Sequence, residues 1–380
     1  MDPSLYTLFP ATPEQVRESR VRTHPQWGRG VPLDEYLERD AKLDTFAHAS
    51  DGRLTTWVLA PRDDPTTLDF LCACESYRRE GFVRLPGDDA AREETMFGIA
   101  SVYTPPRHRR KGAARHMMRL LHRVLAGDAA ALPPFPSAWG SPPPHVPPGH
   151  KYGIASVLYS DVGAGFYSIC GPSEETRGWE VHSPMGTVFD VAATLRLFAE
   201  HGVPKADVAY LALGDLEEVW NTDALLMKDE MPADEDGPVI TFAPWRGVGA
   251  FQAHRNAFFL DSQGKKPLTQ WGVKLVSKEH EPVYATWTMD VEVDLRTLIF
   301  TRIRCNDPEH FLAFLHAAAQ TASAAGLRFI ETWNLPEHLL EVATAYGGRT
   351  EARSEHLDSL AWYGPGEAVK WINNEKFLWC

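Results

Sequence analysis

The stretch SVYTPPRHRRKGAARHMMRLL, Ser101 to Leu121, admits few folds. It opens as a strand, turns at two prolines that cannot donate a hydrogen bond, and packs five Lys/Arg into the nine residues Arg107–Arg115. A glycine and two alanines sit inside that cluster. Apolar residues at helical spacing follow: Met117, Leu120, Leu121 and Val124. Backbone N–H groups at a helix start are unpaired, and the helix dipole adds partial positive charge. Anions settle there when small residues let the backbone approach. The whole chain carries a formal net charge of −13, so this one turn stands against the general balance. That balance argues against nucleic-acid binding, which needs a broad basic surface. The cluster therefore suits one small anionic partner. A nuclear-localisation run or a solvated charged face would explain the basic residues, but not the glycine and alanines behind them.

At 380 residues the chain is long enough for about two domains. No apolar run is long enough to cross a bilayer. The beginning, MDPSLYTLFP, lacks the basic and apolar regions of a signal peptide. The five cysteines are scattered, which does not suit a disulfide framework. Cys72 and Cys74 form a C-x-C without a second Cys/His pair at ligand spacing, so no metal site is expected. These features point to the cytoplasm and to no membrane partner.

Periodicity predicts helices over residues 12–43, broken near Pro25 and Gly28. Thr12, Pro13 and Gln15 supply a capping box with proline at the first helical position. Strands are expected at 54–60, 70–77 and 96–104, then a helix over 112–125. The proline-rich segment 132–150 has little capacity for regular structure; with Trp139 it either covers a cleft or forms a surface loop. A strand at 154–159, a short helix at 163–169 and a strand from Trp179 follow. The second half begins with helices near 191–202 and 215–227 around a strand candidate, AYLAL. An acidic loop and a helix near 251–259 come next. Strands from Trp271, from Pro282 and at TLIFTRIRC precede a helix over 308–325. The strand 328–334, a helix from Pro336 and the strand 356–363 complete it. Each half thus reads strand–strand–strand–helix–strand–helix–strand, a duplication of element order without a letter-by-letter repeat.

The basic turn is neither G-x-x-x-x-G-K-[ST] nor G-x-G-x-x-G. Arg109, Gly112 and Ala114 match R/Q-x-x-G-x-G/A, and the stretch resembles the acetyl-CoA loop of the GNAT N-acetyltransferases. FYSICG downstream resembles that family's FYxxxGF element, with Pro172 where the closing aromatic would stand. LYSDVGAGFY, FAPWRGVGAFQAHRNAFF and the ending NNEKFLWC are similar to a fungal family of L-lysine N6-acetyltransferases. The resemblance implies an α/β (α+β) fold of tandem GNAT-like lobes, each a twisted mixed sheet flanked by helices. The expected units are a catalytic domain over 1–190, a helical connector over 191–240 and a C-terminal lobe over 241–380 that shapes the acceptor site. It implies acetyl-CoA as cosubstrate, held by Arg109, Arg110, Lys111, Gly112, Ala113 and Ala114, with its pantetheine arm along Val102, Tyr103 and Thr104.

The resemblance also implies transfer of acetyl to the side-chain amine of free L-lysine by direct attack on the thioester. Another amine, such as a polyamine or a protein lysine, is the alternative acceptor; a CoA-binding sensor without activity is the alternative outside enzymes. A monomer or homodimer is expected. Tyr167 stands at the family's general acid, and a phenol of pKa about 10 stays protonated at neutral pH. Glu75, a carboxylate inside the apolar FLCACESY, is a candidate base. The Cys380 carboxylate, by analogy with N-myristoyltransferase-type proteins, and a water chain are rivals. Trp287 and Glu331 are candidates for the acceptor's stem and ammonium. Where the first half has RHRRKGAA, the second has Asp307 and Glu309, which would repel a pyrophosphate and occupy the helix start. One CoA site per chain follows.

Overall fold

The computed structural model describes residues 1–28, 30–127, 132–144, 146–182, 184–262, 268–276, 282–292, 295–366 and 368–379. Strands β1 (Tyr6–Pro10), β2 (Leu54–Pro61), β3 (Cys72–Arg84), β4 (Arg92–Tyr103) and β5 (Ala155–Ser160) lie side by side in that order. Each is antiparallel to the next except β4 and β5, which run parallel. Helices α1 (Pro13–Trp27) and α2 (Leu33–Leu43) fall between β1 and β2. Helix α3 (Ala113–Ala126) is the crossover from β4 to β5, as a parallel pair requires. Helix α4 (Gly165–Ser168), β6 (Glu180–Val181), β7 (Met185–Asp190) and α5 (Val191–His201) follow.

The chain then repeats this order. Strand β8 (Val208–Leu211) is followed by α6 (Leu216–Asp229), β9 (Val239–Phe242) and α7 (Phe251–Ser262). Strands β10 (Gly272–Leu275), β11 (Tyr284–Glu292) and β12 (Leu295–Arg304) lead into α8 (Pro308–Ala324), which crosses to the parallel strand β13 (Phe329–Trp333). Helix α9 (Glu337–Ala345), β14 (Arg349–Ala352), β15 (Leu357–Trp362) and β16 (Lys370–Trp371) complete it. The second sheet runs β14-β7-β13-β12-β11-β10-β8. The expected duplication of element order is thus present, and β8 stands to β10 as β1 stands to β2.

The two halves of the chain exchange strands. After β5, α4 and β6, which pairs with β15, the chain leaves the first sheet, and β7 pairs antiparallel with β13 in the second. After β13 and α9 it returns, and β15 pairs antiparallel with β5 in the first. β9 adds to the long end of β3, and β16 pairs with β9. A unit ending at residue 190 therefore closes on a strand of the second sheet, while residues 241–380 contribute β15 and β16 to the first. Alternation along a strand sends neighbours to opposite faces and hides this exchange from any local reading.

That same alternation sorts the first sheet's two faces. Trp57, Leu59, Cys72 and Cys74 pack under α3 with Met117, Leu120 and Leu121. Val58, Ala60, Phe70 and Ala73 form the opposite cluster. Helix α1 covers it: the Arg22 guanidinium lies 4.0 Å from the Phe70 ring centre and donates to the Phe70 carbonyl. Thr12 and Gln15 form the expected capping box, and α1 runs through Pro25 to end at Trp27. A third cluster joins the lobes, with Phe82 from the first, Trp220 and Tyr284 from the second, and Phe377 and Leu378 from the tail.

Candidate functional site

Strands β4 and β5 pair only from Met96 opposite Ala155 to Ile99 opposite Leu158. Beyond that point they part, because β4 carries a bulge: between the pairs Ala73–Tyr103 and Glu75–Ala100, the single β3 residue Cys74 faces two of β4, Ser101 and Val102. Ser101 in the bulge takes φ +55°. A bulge bends its strand and increases local twist. Val102 and Tyr103 are therefore left without pairing on the β5 side. Thr104 lies just past the strand, and its carbonyl accepts from Arg109 Nε at 2.9 Å.

The loop that leaves this gap ends in α3. Arg110 and Gly112 both take left-handed backbone, φ +59° and +84°. No side chain caps α3, and its first main-chain bond runs from His116 N–H to the Gly112 carbonyl. The amides of Ala113, Ala114 and Arg115 thus point out without a helical partner. A Cβ added at Gly112 would meet nothing within 4 Å. Glycine is required there by the backbone angle, and the space in front is open. Arg110 and Lys111 are exposed and carry no ion pair among the described residues. Arg107 pairs with Asp69 at 2.5 Å, and the Arg109 guanidinium turns back over the Tyr103 ring. These two hold the loop to the sheet. In the second lobe the equivalent helix, α8, starts at Asp307, whose carboxylate accepts from Glu309 N–H at 2.8 Å. That start is occupied, as its sequence requires.

Tyr167 lies on α4 at the α3 face of the sheet, packed with Phe166 against the first core. Its carbonyl accepts from Cys170 and Trp179, which fixes the stub of helix. Burial pushes the phenol up, helped by neighbouring Cys170, Cys74 and Asp161. Glu75 follows Cys74 and so projects from the opposite face. Its carboxylate accepts from Ser101 Oγ at 2.7 Å and Tyr77 OH at 3.2 Å. Burial pushes its pKa up, against the pull of Arg20 and the Ser101 hydroxyl. Glu75 is therefore tied to the bulge that opens the gap, and Tyr167 stands across the sheet from it.

The tail is built into the lobe junction. Gln252 Nε2 on α7 donates to the Lys376 carbonyl at 2.5 Å and to the Trp379 carbonyl at 3.3 Å. The motif containing Gln252 and the ending NNEKFLWC thus meet in space. Asp223, wholly buried, accepts from Arg302 at 2.8 Å, Arg304 at 3.0 Å and the Tyr284 hydroxyl at 2.8 Å. Glu375 accepts from Arg302 and from the Ile303 N–H. The carboxylate of Cys380, named above as a candidate base, lies outside the described residues.

Lys376 is 5% exposed, and its amine sits 4.1 Å from the ring centres of both Trp333 and Trp379. Glu331, half-buried, accepts from the Trp333 indole at 2.7 Å and lies in the same cluster. Burial pulls the Lys376 amine down to about 7, opposed by Glu331 and Asp290. In the unfolded chain the amine holds its proton to about 10.4. Between those values the unfolded state binds more protons, so this group makes stability rise with pH. Below about 7 both states are protonated and the full burial cost is present. Lys376→Met should flatten the rise in unfolding free energy between pH 7 and 9.5. The effect, on the order of a few kcal/mol, is read from urea melts of both proteins. Equal slopes would show that the amine is not titrating there.

Trp287 is 1% exposed, its indole N–H donates to the Gln270 carbonyl, and it packs on Phe300 in the second core. It offers no surface to an acceptor. Trp139 is likewise buried, against α3: His116 meets its ring edge-on and the Arg119 guanidinium lies 4.9 Å from it. Arg62 donates to the carbonyls of Trp139 and Ser141. The described residues of the segment 132–150 are thus anchored to the first lobe, with Trp139 in its core cluster. Cys72, Cys74, Cys170 and Cys305 are free and buried. Among the described residues no cluster of His, Cys, Asp or Glu could hold a metal, and no helix is long and apolar enough to cross a membrane.

Comparison with known proteins agrees with this architecture. Residues 198–380 match the LYC1 GNAT-like C-terminal domain. A lysine acetyltransferase of Yarrowia lipolytica is 26% identical over 193 residues, 51% of this chain and 45% of that protein. The match thus spans less than half of the curated relative. A GCN5-related N-acetyltransferase from Kribbella flavida superposes with a TM-score of 0.51 at 13% identity, over 94% of this chain and 72% of its own. One from Anabaena variabilis gives 0.51 at 12%, over 94% and 73%. At such identities the likeness is one of fold. The chain is a two-lobed protein of GNAT fold, and its residues 198–380 are similar to the LYC1 GNAT-like C-terminal domain.

Proposed function

We propose that this protein transfers acetyl from acetyl-CoA to the side-chain amine of free L-lysine. One observation carries the reading: a parted strand pair opens beside an uncapped, glycine-started helix with exposed Arg110 and Lys111 in front of it. The amides from Ala113 to Arg115 suit the diphosphate, and the free edge of Val102 and Tyr103 suits the pantetheine amides. Acetyl-CoA supplies the acyl group as a thioester. Glu75 takes the proton of the incoming ammonium, directly or through water, because its raised pKa makes it a stronger base than an ordinary carboxylate. The neutral amine attacks the carbonyl carbon, the C–S bond breaks, and the Tyr167 phenol gives its proton to the departing thiolate. Tyr167 can do so because burial keeps it protonated.

The name of the Yarrowia relative supports lysine as acceptor. A panel of amines (lysine, spermidine, a lysine-containing peptide) with acetyl-CoA and thiol detection tests the reading. Lysine should give the highest kcat/KM, with N6-acetyllysine as product. A preference for spermidine or the peptide would reassign the acceptor. CoA binding without turnover on any amine would reject the enzyme.

A further inference from the structure

Arg79 is 1% exposed, and none of its three guanidinium nitrogens has a hydrogen-bond partner among the described residues. A buried guanidinium without a counter-charge is among the most costly arrangements a fold can hold. Its guanidinium lies over the Tyr77 ring, 5.9 Å from the centre, and makes no ion pair among the described residues. His48, itself 2% exposed, stacks on the same Tyr77 ring that the Arg79 guanidinium faces. The His48 ring lies between Tyr77 and Phe251, at 5.6 Å and 3.9 Å, and its Nδ1 has no partner. The Arg79 guanidinium and the His48 Nδ1, both beside the Tyr77 ring, thus lack a partner among the described residues. His48 also lines a pocket of about 150 Å³ with Phe46, Phe251, Glu217 and Asn221.

Arg79 is not isolated from the proposed chemistry. Glu75, Tyr77 and Arg79 alternate along β3, so their side chains leave one face of the sheet. This run pairs regularly with β4, from Glu75 opposite Ala100 to Arg79 opposite Met96. Four residues of strand span about 13 Å. An extended lysine places its side-chain nitrogen roughly 7 Å from its carboxylate carbon, at bond lengths of about 1.5 Å. A hydrogen bond of about 2.8 Å at each end brings the reach to that same span.

We propose that Arg79 and His48 bind the carboxylate of the acceptor, and that the acceptor is an acid with a distant primary amine whose chain lies along β3 toward Glu75. The ligand enters past the His48 ring from the pocket. Glu217 at the pocket wall suits the α-ammonium of an amino acid. This inference rests on the acetyl-transfer reading for its Glu75 end; the carboxylate end stands on Arg79 and His48 alone.

The test compares L-lysine, 6-aminohexanoate and cadaverine, which lacks the carboxylate, on the wild type, Arg79→Gln and Arg79→Lys. Wild type should favour both acids over cadaverine by at least tenfold in kcat/KM. Arg79→Gln should raise KM for the acids about 10- to 100-fold, the range for losing a hydrogen bond to a charged group, and erase the preference. Arg79→Lys, which keeps the charge, should restore part of it. Equal use of cadaverine and lysine by the wild type would overturn the proposal, and this reading needs no variant to fold. A preference retained in folded Arg79→Gln would overturn it too. If no amine is acetylated, the transferase reading fails separately. Calorimetry with 6-aminohexanoate then decides the carboxylate site: binding lost in Arg79→Gln supports it, and absent binding to the wild type overturns it.

Discussion

Replacing Tyr167 with phenylalanine should lower kcat about 10²- to 10⁴-fold, the usual contribution of a positioned proton donor. The affinity for CoA should stay the same, because the ring still packs with Phe166 against the first core and only a hydroxyl is lost. The Tyr167 hydroxyl makes no hydrogen bond within the described residues, so its loss leaves no protein group unsatisfied. The melting temperature should therefore change little, which separates a chemical role from a packing one. Single-turnover release of thiol, measured beside a CoA titration, reads both quantities. A phenylalanine variant with wild-type kcat would leave the phenol a packing role alone.

The largest stability effect is expected at Asp223. It is the one carboxylate shared by Arg302, Arg304 and Tyr284, and it is fully buried. Asp223→Ala leaves the Tyr284 phenol without its partner and takes one of two carboxylates from each of Arg302 and Arg304. Glu375 still holds Arg302 and Glu230 still holds Arg304, which limits the loss. Breaking a buried pair by removing one partner costs about 3–5 kcal/mol. Because Glu375 belongs to the tail, the variant should also loosen residues 373–379, visible as faster amide exchange at Phe377 and Leu378. Arg302→Met should cost less, since it removes one charge and fills the space with apolar volume. A denaturant midpoint unchanged in Asp223→Ala would show that the network contributes nothing to the fold.

Several of these features are legible in the chain. The strand, the bulge-side prolines, the basic loop and α3 follow from local rules, since each is set by residues within one turn or one strand. The capping of α1 by Thr12 and Gln15 and of α8 by Asp307 is equally local. The exchanged strands are not. HLDSLAWY reads as a plain strand and MGTVFD is not singled out beyond the strand start at Trp179; which sheet receives each is decided by the partners Ala155–Ser160 and Phe329–Trp333, far away in sequence. Trp287 illustrates a different limit. Its alternation on β11 fixes a face but not whether that face meets the core or a cleft. Arg79 was open to detection in YRRE, since the period of two sets it with Glu75 and Tyr77. Only the three-dimensional packing reveals that it is enclosed and unpaired. Trp139 lies in a segment without regular periodicity, so its burial against α3 had no local signal.

The central claim is that the α3 start grips the coenzyme's diphosphate, and titration calorimetry of CoA into wild type and Gly112→Glu tests it most directly. Glutamate at 112 would impose a left-handed backbone angle that costs a non-glycine residue roughly 1–2 kcal/mol. It would also set a negative charge where the phosphates belong. Saturable CoA binding by the wild type, weakened at least 100-fold in a folded Gly112→Glu protein, is the predicted result. Equal affinities in the two proteins would contradict the site, and with it the assignments of Tyr167 and Glu75.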